Sequence, residues 1–150
     1  MASQKQIEQF INSKTLAVVG VSRHKRKFGN TIFNELSQKG YTLFPVNPNM
    51  SEYGGLTCYP SLSALPQAVD GVVMILKPNA AMGVLKEARE AGIKNVWLQQ
   101  GAGSDEAETY AQAHGINLIR GQCILMYAPP VKSIHKWHSV IWKWLGVGPK

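Results

Sequence analysis

Five short apolar runs punctuate this chain, Leu16 to Val21, Thr42 to Val46, Gly71 to Leu76, Asn95 to Leu98 and Asn117 to Ile119, and none alternates apolar with polar residues. A strand with one wet face shows that alternation, whereas a strand covered on both faces does not. Between the runs lie stretches with helical spacing. Ile32, Phe33 and Leu36 lead to Gly40; Ala81, Val84, Leu85 and Ala88 to Gly92; Ala107, Tyr110 and Ala111 to Gly115. Each stretch closes on a glycine suited to a helix C′ position. Asn79 and Ser104 are the predicted N-caps of the last two helices. Ser3 followed by Gln6 has the form of a capping box, with Ile7, Phe10 and Ile11 on one face, so a leading helix is expected over 4–12. Residues 48–70 read as a loop with at most a short helical turn near 61–65.

Strands and helices in alternation demand right-handed crossovers, which make the strands parallel and put helices on both faces. The expectation is an α/β, Rossmann-like three-layer α/β/α fold with a five-stranded parallel sheet, a short N-terminal helix and a C-terminal amphipathic helix. The 150 residues fit one domain, with its core at about 14–125 and a helical tail at about 131–146. Hydrophobic content of 45% and charged content of 17% describe an ordinary soluble globular protein. The apolar runs are too short to span a bilayer, the N-terminus has Glu8 where a signal peptide would be apolar, and there are two cysteines, Cys58 and Cys123. A cytoplasmic, reducing location is the expectation.

In a sheet of this kind ligands bind beyond the carboxyl ends of the strands, normally after the first. That position holds LAVVGVSRHKRKFG, a strand running into Arg23, Lys25, Arg26 and Lys27 with no acid among them. The net charge is +7, and after Glu108 no carboxylate side chain occurs while Arg120, Lys132, Lys136, Lys143 and Lys150 remain. Such clusters suit phosphate-bearing partners. A solvated surface loop would carry the same charges; the place in the fold favours phosphate.

Which phosphate compound is narrowed by what the loop lacks. A dinucleotide site needs G-x-G-x-x-G and an acid at the end of the second strand; here the turn reads Gly20-Val21-Ser22-Arg23, the next glycine is Gly29, and the strand ends in Val46-Asn47-Pro48. NAD is disfavoured, and NADP would need a cation near that strand end. No Walker lysine motif is present. A nucleophile elbow would need glycine where His24 stands, so Ser22 is assigned as a hydroxyl donor to a phosphate oxygen. What remains is a cation-rich loop opening onto a helix N-terminus near 29–31, which suits a diphosphate with further charge close by.

The blocks AVVGVSRHKRKFGNTIFNELSQKGYTLFPVNPN, YPSLSALPQAVDGVVMILKP, VWLQQGAGSDEAETYAQAHGINLI and RGQCI, in this order over about 14–125, resemble the CoA-binding domain proteins, relatives of the nucleotide-binding domain of succinyl-CoA synthetase alpha subunits. The resemblance implies coenzyme A or an acyl-CoA as ligand. Carried onto this sequence, it implies that Gly20, Val21, Ser22 and Arg23 line the phosphate loop with Lys27 and Phe28 beside it, and that Asn47 and Pro48 border the adenosine. Leu76, Lys77 and Pro78 would face the pantetheine arm or the diphosphate, and Gln99 to Gly101 would form the neighbouring wall. Turn chemistry and strand ends alone would also account for Asn47-Pro48, Lys77-Pro78 and Gln99-Gln100-Gly101. The synthetase's phosphohistidine domain has no counterpart in this chain.

No catalytic constellation stands out. Glu87 and Glu90, and Asp105, Glu106 and Glu108, fall at solvent-facing helix positions, and His135 and His138 share a spacing but no third ligand, so no metal site is assigned. Cys123, on the ligand side of the sheet, reads as an inert buried thiol, with a mixed disulfide to the coenzyme thiol as the competing reading. The tail VKSIHKWHSVIWKWLG places Ile134, Trp137, Ile141, Trp144 and Leu145 on one helical face and Lys132, Lys136, Ser139 and Lys143 on the other, which suits packing on the domain, a homodimer or protein partner, or a membrane surface. Nucleic acid has no motif here. The expected function is coenzyme A binding without evident chemistry; the alternative is an NAD(P)-dependent oxidoreductase or an acyl-CoA-processing subunit that needs a partner.

Overall fold

The computed structural model describes residues 3–24 and 27–129. Helix α1 (Gln4–Ile11) opens the chain behind the Ser3/Gln6 capping box, followed by strand β1 (Thr15–Val19), helix α2 (Phe28–Gln38) and strand β2 (Thr42–Val46). A small hairpin, β3 (Glu52–Tyr53) and β4 (Leu56–Thr57), and a 3-10 turn at Leu62–Ala64 lead to β5 (Gly71–Met74). Then come α3 (Pro78–Glu90), β6 (Asn95–Leu98), α4 (Asp105–Ala113), β7 (Asn117–Arg120) and a last 3-10 turn at Ile124–Met126. Strands β2-β1-β5-β6-β7 form one parallel five-stranded sheet in that order.

The lack of alternation in the strands follows from cover on both faces. Leu16, Val73, Trp97 and Ile119 face α1 and α2, packing on Ile7, Phe10, Ile32 and Leu36. Their neighbours Ala17, Val72, Val96 and Leu118 face α3 and α4, against Leu85, Ala88, Ala107 and Ala111. Phe10 meets Trp97 edge-on with centroids 5.3 Å apart, so α1 covers the β6–β7 half of the face that α2 leaves bare. Gly40, Gly92 and Gly115 follow their helices with φ of 95°, 77° and 67°.

Three details differ from the sequence reading. β1 and β5 stop two residues early, at Val19 and Met74, because Gly20 leaves the strand with φ 130°. The N-cap of α3 is Lys77, not Asn79: Pro78 lacks an N–H and has a fixed φ, so it takes the first helical position and draws the start forward. Residues 48–70 hold the β3–β4 hairpin, turned by Gly54 and Gly55 at φ 57° and 82°. Two-residue strands are too short to show a period.

Tyr41 anchors α1 to the sheet, its buried hydroxyl donating to the Ile11 carbonyl at 3.2 Å. Burial pushes its pKa from 10.0 up to about 12. A phenol that ionises later in the folded chain stabilises fully below its unfolded pKa, and that contribution is lost as pH rises from 10 through about 12. Urea unfolding should therefore show wild type losing roughly 2–3 kcal/mol over this window, a loss that Tyr41→Phe escapes; parallel losses in the two proteins would refute the assignment.

Candidate functional site

The strand order reverses between β1 and β5, and two glycines bring three elements together there. A Cβ on Gly20 would lie 2.4 Å from the Ile75 carbonyl oxygen, and one on Gly29 would lie 2.0 Å from the Gly20 oxygen. The first turn of α2 thus rests directly on the end of β1, and the end of β1 on the end of β5. Tight turn and close helix approach, met in dinucleotide sites by G-x-G-x-x-G, are met here by two glycines nine positions apart, with the cationic loop between them.

That loop is held by amides. Asn30, 3% exposed, accepts from the Ser22 N–H through Oδ1 at 2.8 Å and donates through Nδ2 to the carbonyls of Ser22 at 2.8 Å and His24 at 3.1 Å. Only this orientation of the amide satisfies one donor and two acceptors. From the other side Asn47 donates to the Val21 carbonyl at 2.8 Å and accepts from the Asn49 N–H at 2.7 Å. The Arg23 guanidinium donates to the Asn49 carbonyl at 2.7 Å, which lays the side chain toward the segment after β2. Ser22 Oγ accepts from the His24 N–H at 3.1 Å and keeps its own hydrogen to donate.

The helix ends beside the loop are electropositive. Lys27 caps α2 and Lys77 caps α3, neither by a side-chain hydrogen bond, and neither helix has an acid in its first turn. Helix α4 is the opposite case: Ser104 caps it, and Asp105, Glu106 and Glu108 crowd its first turn. Arg120 bonds Asp105 at 3.1 Å and Glu108 at 2.9 Å, which holds the guanidinium charged and engages it within the protein. An anion at the carboxyl edge therefore finds open helix ends over β1 and β5 rather than over β7.

A cleft of about 500 Å³ opens beside the loop, between α2 and the β3–β4 hairpin, lined by Ser22, Arg23, Asn30 and Asn34 on one side and by Met50, Glu52, Tyr53 and Gly54 on the other. A second hollow, about 440 Å³, lies at the amino end of the sheet between the Leu62–Ala64 turn and the end of α3, remote from the loop. There Glu87, read as solvent-facing, is half-buried and accepts from the Leu62 N–H at 3.1 Å. Among the described residues no three His, Cys, Asp or Glu side chains group as a metal site would require.

A family model described as CoA binding domain matches residues 14–129. The chain belongs to that family. The CoA-binding domain here resembles a conserved hypothetical protein of Pyrococcus furiosus, at TM-score 0.72 and 41% identity over 75% of this chain and 97% of that one. It also resembles the ADP-forming acetate–CoA ligase I of Archaeoglobus fulgidus, at 27% identity over 80% of this chain but 19% of the ligase. A Candidatus Korarchaeum cryptofilum acetyl-coenzyme A synthetase solved with phosphate and ADP matches at TM-score 0.66 and 30% identity, over 75% of this chain and 26% of that one. The chain thus spans about a fifth of that ligase and a quarter of that synthetase.

Within this CoA-binding domain the residues named from sequence fall into groups. Gly20, Val21, Ser22, Arg23, Lys27 and Phe28 lie together on the loop and its helix, Phe28 being 48% exposed. Asn47 and Pro48 border them after β2. Leu76, half-buried, packs toward α3 and α4, while Lys77 and Pro78 are exposed at the start of α3. Gln99 is different: fully buried, it accepts from the Ile124 N–H at 2.8 Å and donates to Cys123 Sγ at 3.4 Å, so its side chain serves the protein's own packing. Gly101 is exposed at φ 90°. Cys123 is half-buried, whereas Cys58 is buried with its thiol pushed up by desolvation. Lys25 and Arg26, and the tail with His135, His138 and its tryptophans, lie outside the described residues.

The sequence reading ends the anchoring loop at Asn30 without giving its side chain a role, and does not include Asn34, Glu52 and Tyr53, which line the cleft. Asn30 had a legible signal: three residues before Phe33, it is a polar residue on the apolar face of α2. The hairpin residues had none.

Proposed function

We propose that this chain binds coenzyme A or an acyl-CoA, with the diphosphate on the loop 20–30 and the first turn of α2, and that it does so without bond-making chemistry of its own. The observation that carries this reading is the glycine-seated, amide-clamped loop opening onto a helix end that has no side-chain cap and no acid. Ser22 adds a hydroxyl donor, and Arg23, Lys27 and Lys77 add charge around a ligand that bears a diphosphate and a 3′-phosphate. The side chains nearest the loop serve as hydrogen-bond braces rather than as an acid–base pair.

Calorimetric titration with coenzyme A and its 3′-dephospho form tests the reading. The 3′-phosphate should strengthen binding about tenfold, the worth of one charge-assisted hydrogen bond. Equal affinities would remove the role given to the extra phosphate, and no binding of either compound would refute the ligand. NAD and NADP in a parallel thermal-shift panel should leave the melting temperature unmoved, since β2 ends in Val46 and runs into Asn47 and Pro48, with neither acid nor cation there.

A second reading, favoured by the relatives, is that the chain presents coenzyme A to a partner that completes a ligase. The ADP-forming acetate–CoA ligase II subunit alpha of Pyrococcus furiosus matches 79% of this chain over 28% of its own length. Co-purification of a second polypeptide with coenzyme A-loaded protein, and acyl-CoA formation by that pair alone, would establish it.

A further inference from the structure

We propose that the cleft between α2 and the β3–β4 hairpin seats the nucleobase of the coenzyme, and that Glu52 reads that base as adenine. This rests on the coenzyme A reading above and adds the residue that discriminates the base. At about 500 Å³ the cleft is of ligand-binding size.

Charge decides which part of the ligand enters. The charged side chains among the described lining residues are Arg23 and Glu52, and the Arg23 guanidinium is turned to the Asn49 carbonyl. A phosphate beside the Glu52 carboxylate would be repelled, so the phosphates stay at the end of the cleft lined by Ser22 and Arg23, next to the start of α2, and an uncharged group goes toward Glu52. The walls suit a flat heterocycle. Met50 and Tyr53 are both half-buried along the cleft. The Tyr53 ring is fixed edge-on against Phe33 at 4.9 Å, and its hydroxyl donates to Asn34 Oδ1 at 3.2 Å. A ring held in this way costs little further entropy when a base packs on it.

The polar groups then select among bases. Glu52 is exposed on β3, no Lys or Arg pairs with it among the described residues, and an ionised carboxylate only accepts hydrogen bonds. Adenine offers an exocyclic amine, a donor. Hypoxanthine offers a carbonyl in the same place, and two acceptors would then face each other.

The test is calorimetric titration of wild type and Glu52→Gln with coenzyme A and with its deaminated, hypoxanthine-containing analogue. Wild type should prefer the adenine compound about tenfold, as expected for a hydrogen bond to a charged group. Glu52→Gln should bring the two affinities within about twofold, because its amide can donate to the carbonyl as well as accept from the amine. Glu52→Ala, checked for folding by circular dichroism, should lose the preference by weakening the adenine compound alone. If both compounds bind wild type equally, or if Glu52→Gln leaves the preference intact, the inference is overturned while the coenzyme site stands. If neither compound binds, the coenzyme A reading falls and this inference with it.

Discussion

Replacing Asn30 with alanine should lower stability by about 2 kcal/mol and weaken coenzyme A binding by about 100-fold. One side chain satisfies the Ser22 N–H and the Ser22 and His24 carbonyls, and it does so almost wholly out of water. Leaving buried polar groups without partners costs roughly 1–3 kcal/mol each, reduced where the loop lets water in. The larger effect falls on binding, because a loop that has lost its internal brace must be ordered by the ligand. Asn30→Asp separates the two roles. It keeps an acceptor for the Ser22 N–H but turns a second oxygen on the two carbonyls and adds negative charge beside the phosphates, so affinity should fall further than in the alanine variant. Urea denaturation and calorimetry on the two variants give the answer, and wild-type values for both would show that the amide does not shape the loop.

Gly29→Ala should abolish measurable coenzyme A binding and lower stability by roughly 2–3 kcal/mol, the upper end for overpacking. The added methyl would sit 2.0 Å from the Gly20 oxygen and 2.7 Å from its carbonyl carbon. Both are backbone atoms of a strand end that is itself pressed on Ile75, so no side chain can swing aside to make room. Helix α2 would have to lift off the sheet, carrying its open N–H groups away from the loop. Gly83→Ala supplies the comparison. Gly83 lies inside α3 with nothing near its added methyl, and alanine there should stabilise by about 0.5–1 kcal/mol with binding unchanged. Equal behaviour of the two variants would mean that the seam between Gly20 and Gly29 has no part in the site.

Legibility differed between the frame and the site for a physical reason. The apolar runs and glycine stops are repeated signals, each backed by several residues, and they located the five strands of the sheet and three helix ends to within about two residues. Ser104 was readable as a cap because capping is local chemistry over three residues; Asn79 misled because Pro78 outranks it at the first helical position. Gln99 shows the other kind of failure. At the end of β6 it looks like a wall of the ligand cleft, and only packing against Ile124, 25 residues later, turns its amide inward. Arg120 likewise counts as free charge in the sequence until folding sets it against Asp105 and Glu108.

The amino-acid sequence on its own determined the order of strands and helices, the cover on both sheet faces, the cationic loop after β1 and the resemblance to the CoA-binding domains, since all of these rest on neighbours in the chain. Only the tertiary structure decided which side chains brace that loop, that Gly29 must be glycine because Gly20 lies against it, and that a hairpin faces α2 across a cleft. Those facts are contacts between residues eight to dozens of positions apart, and contact distance is a property of the packed sheet, not of the spacing along the chain.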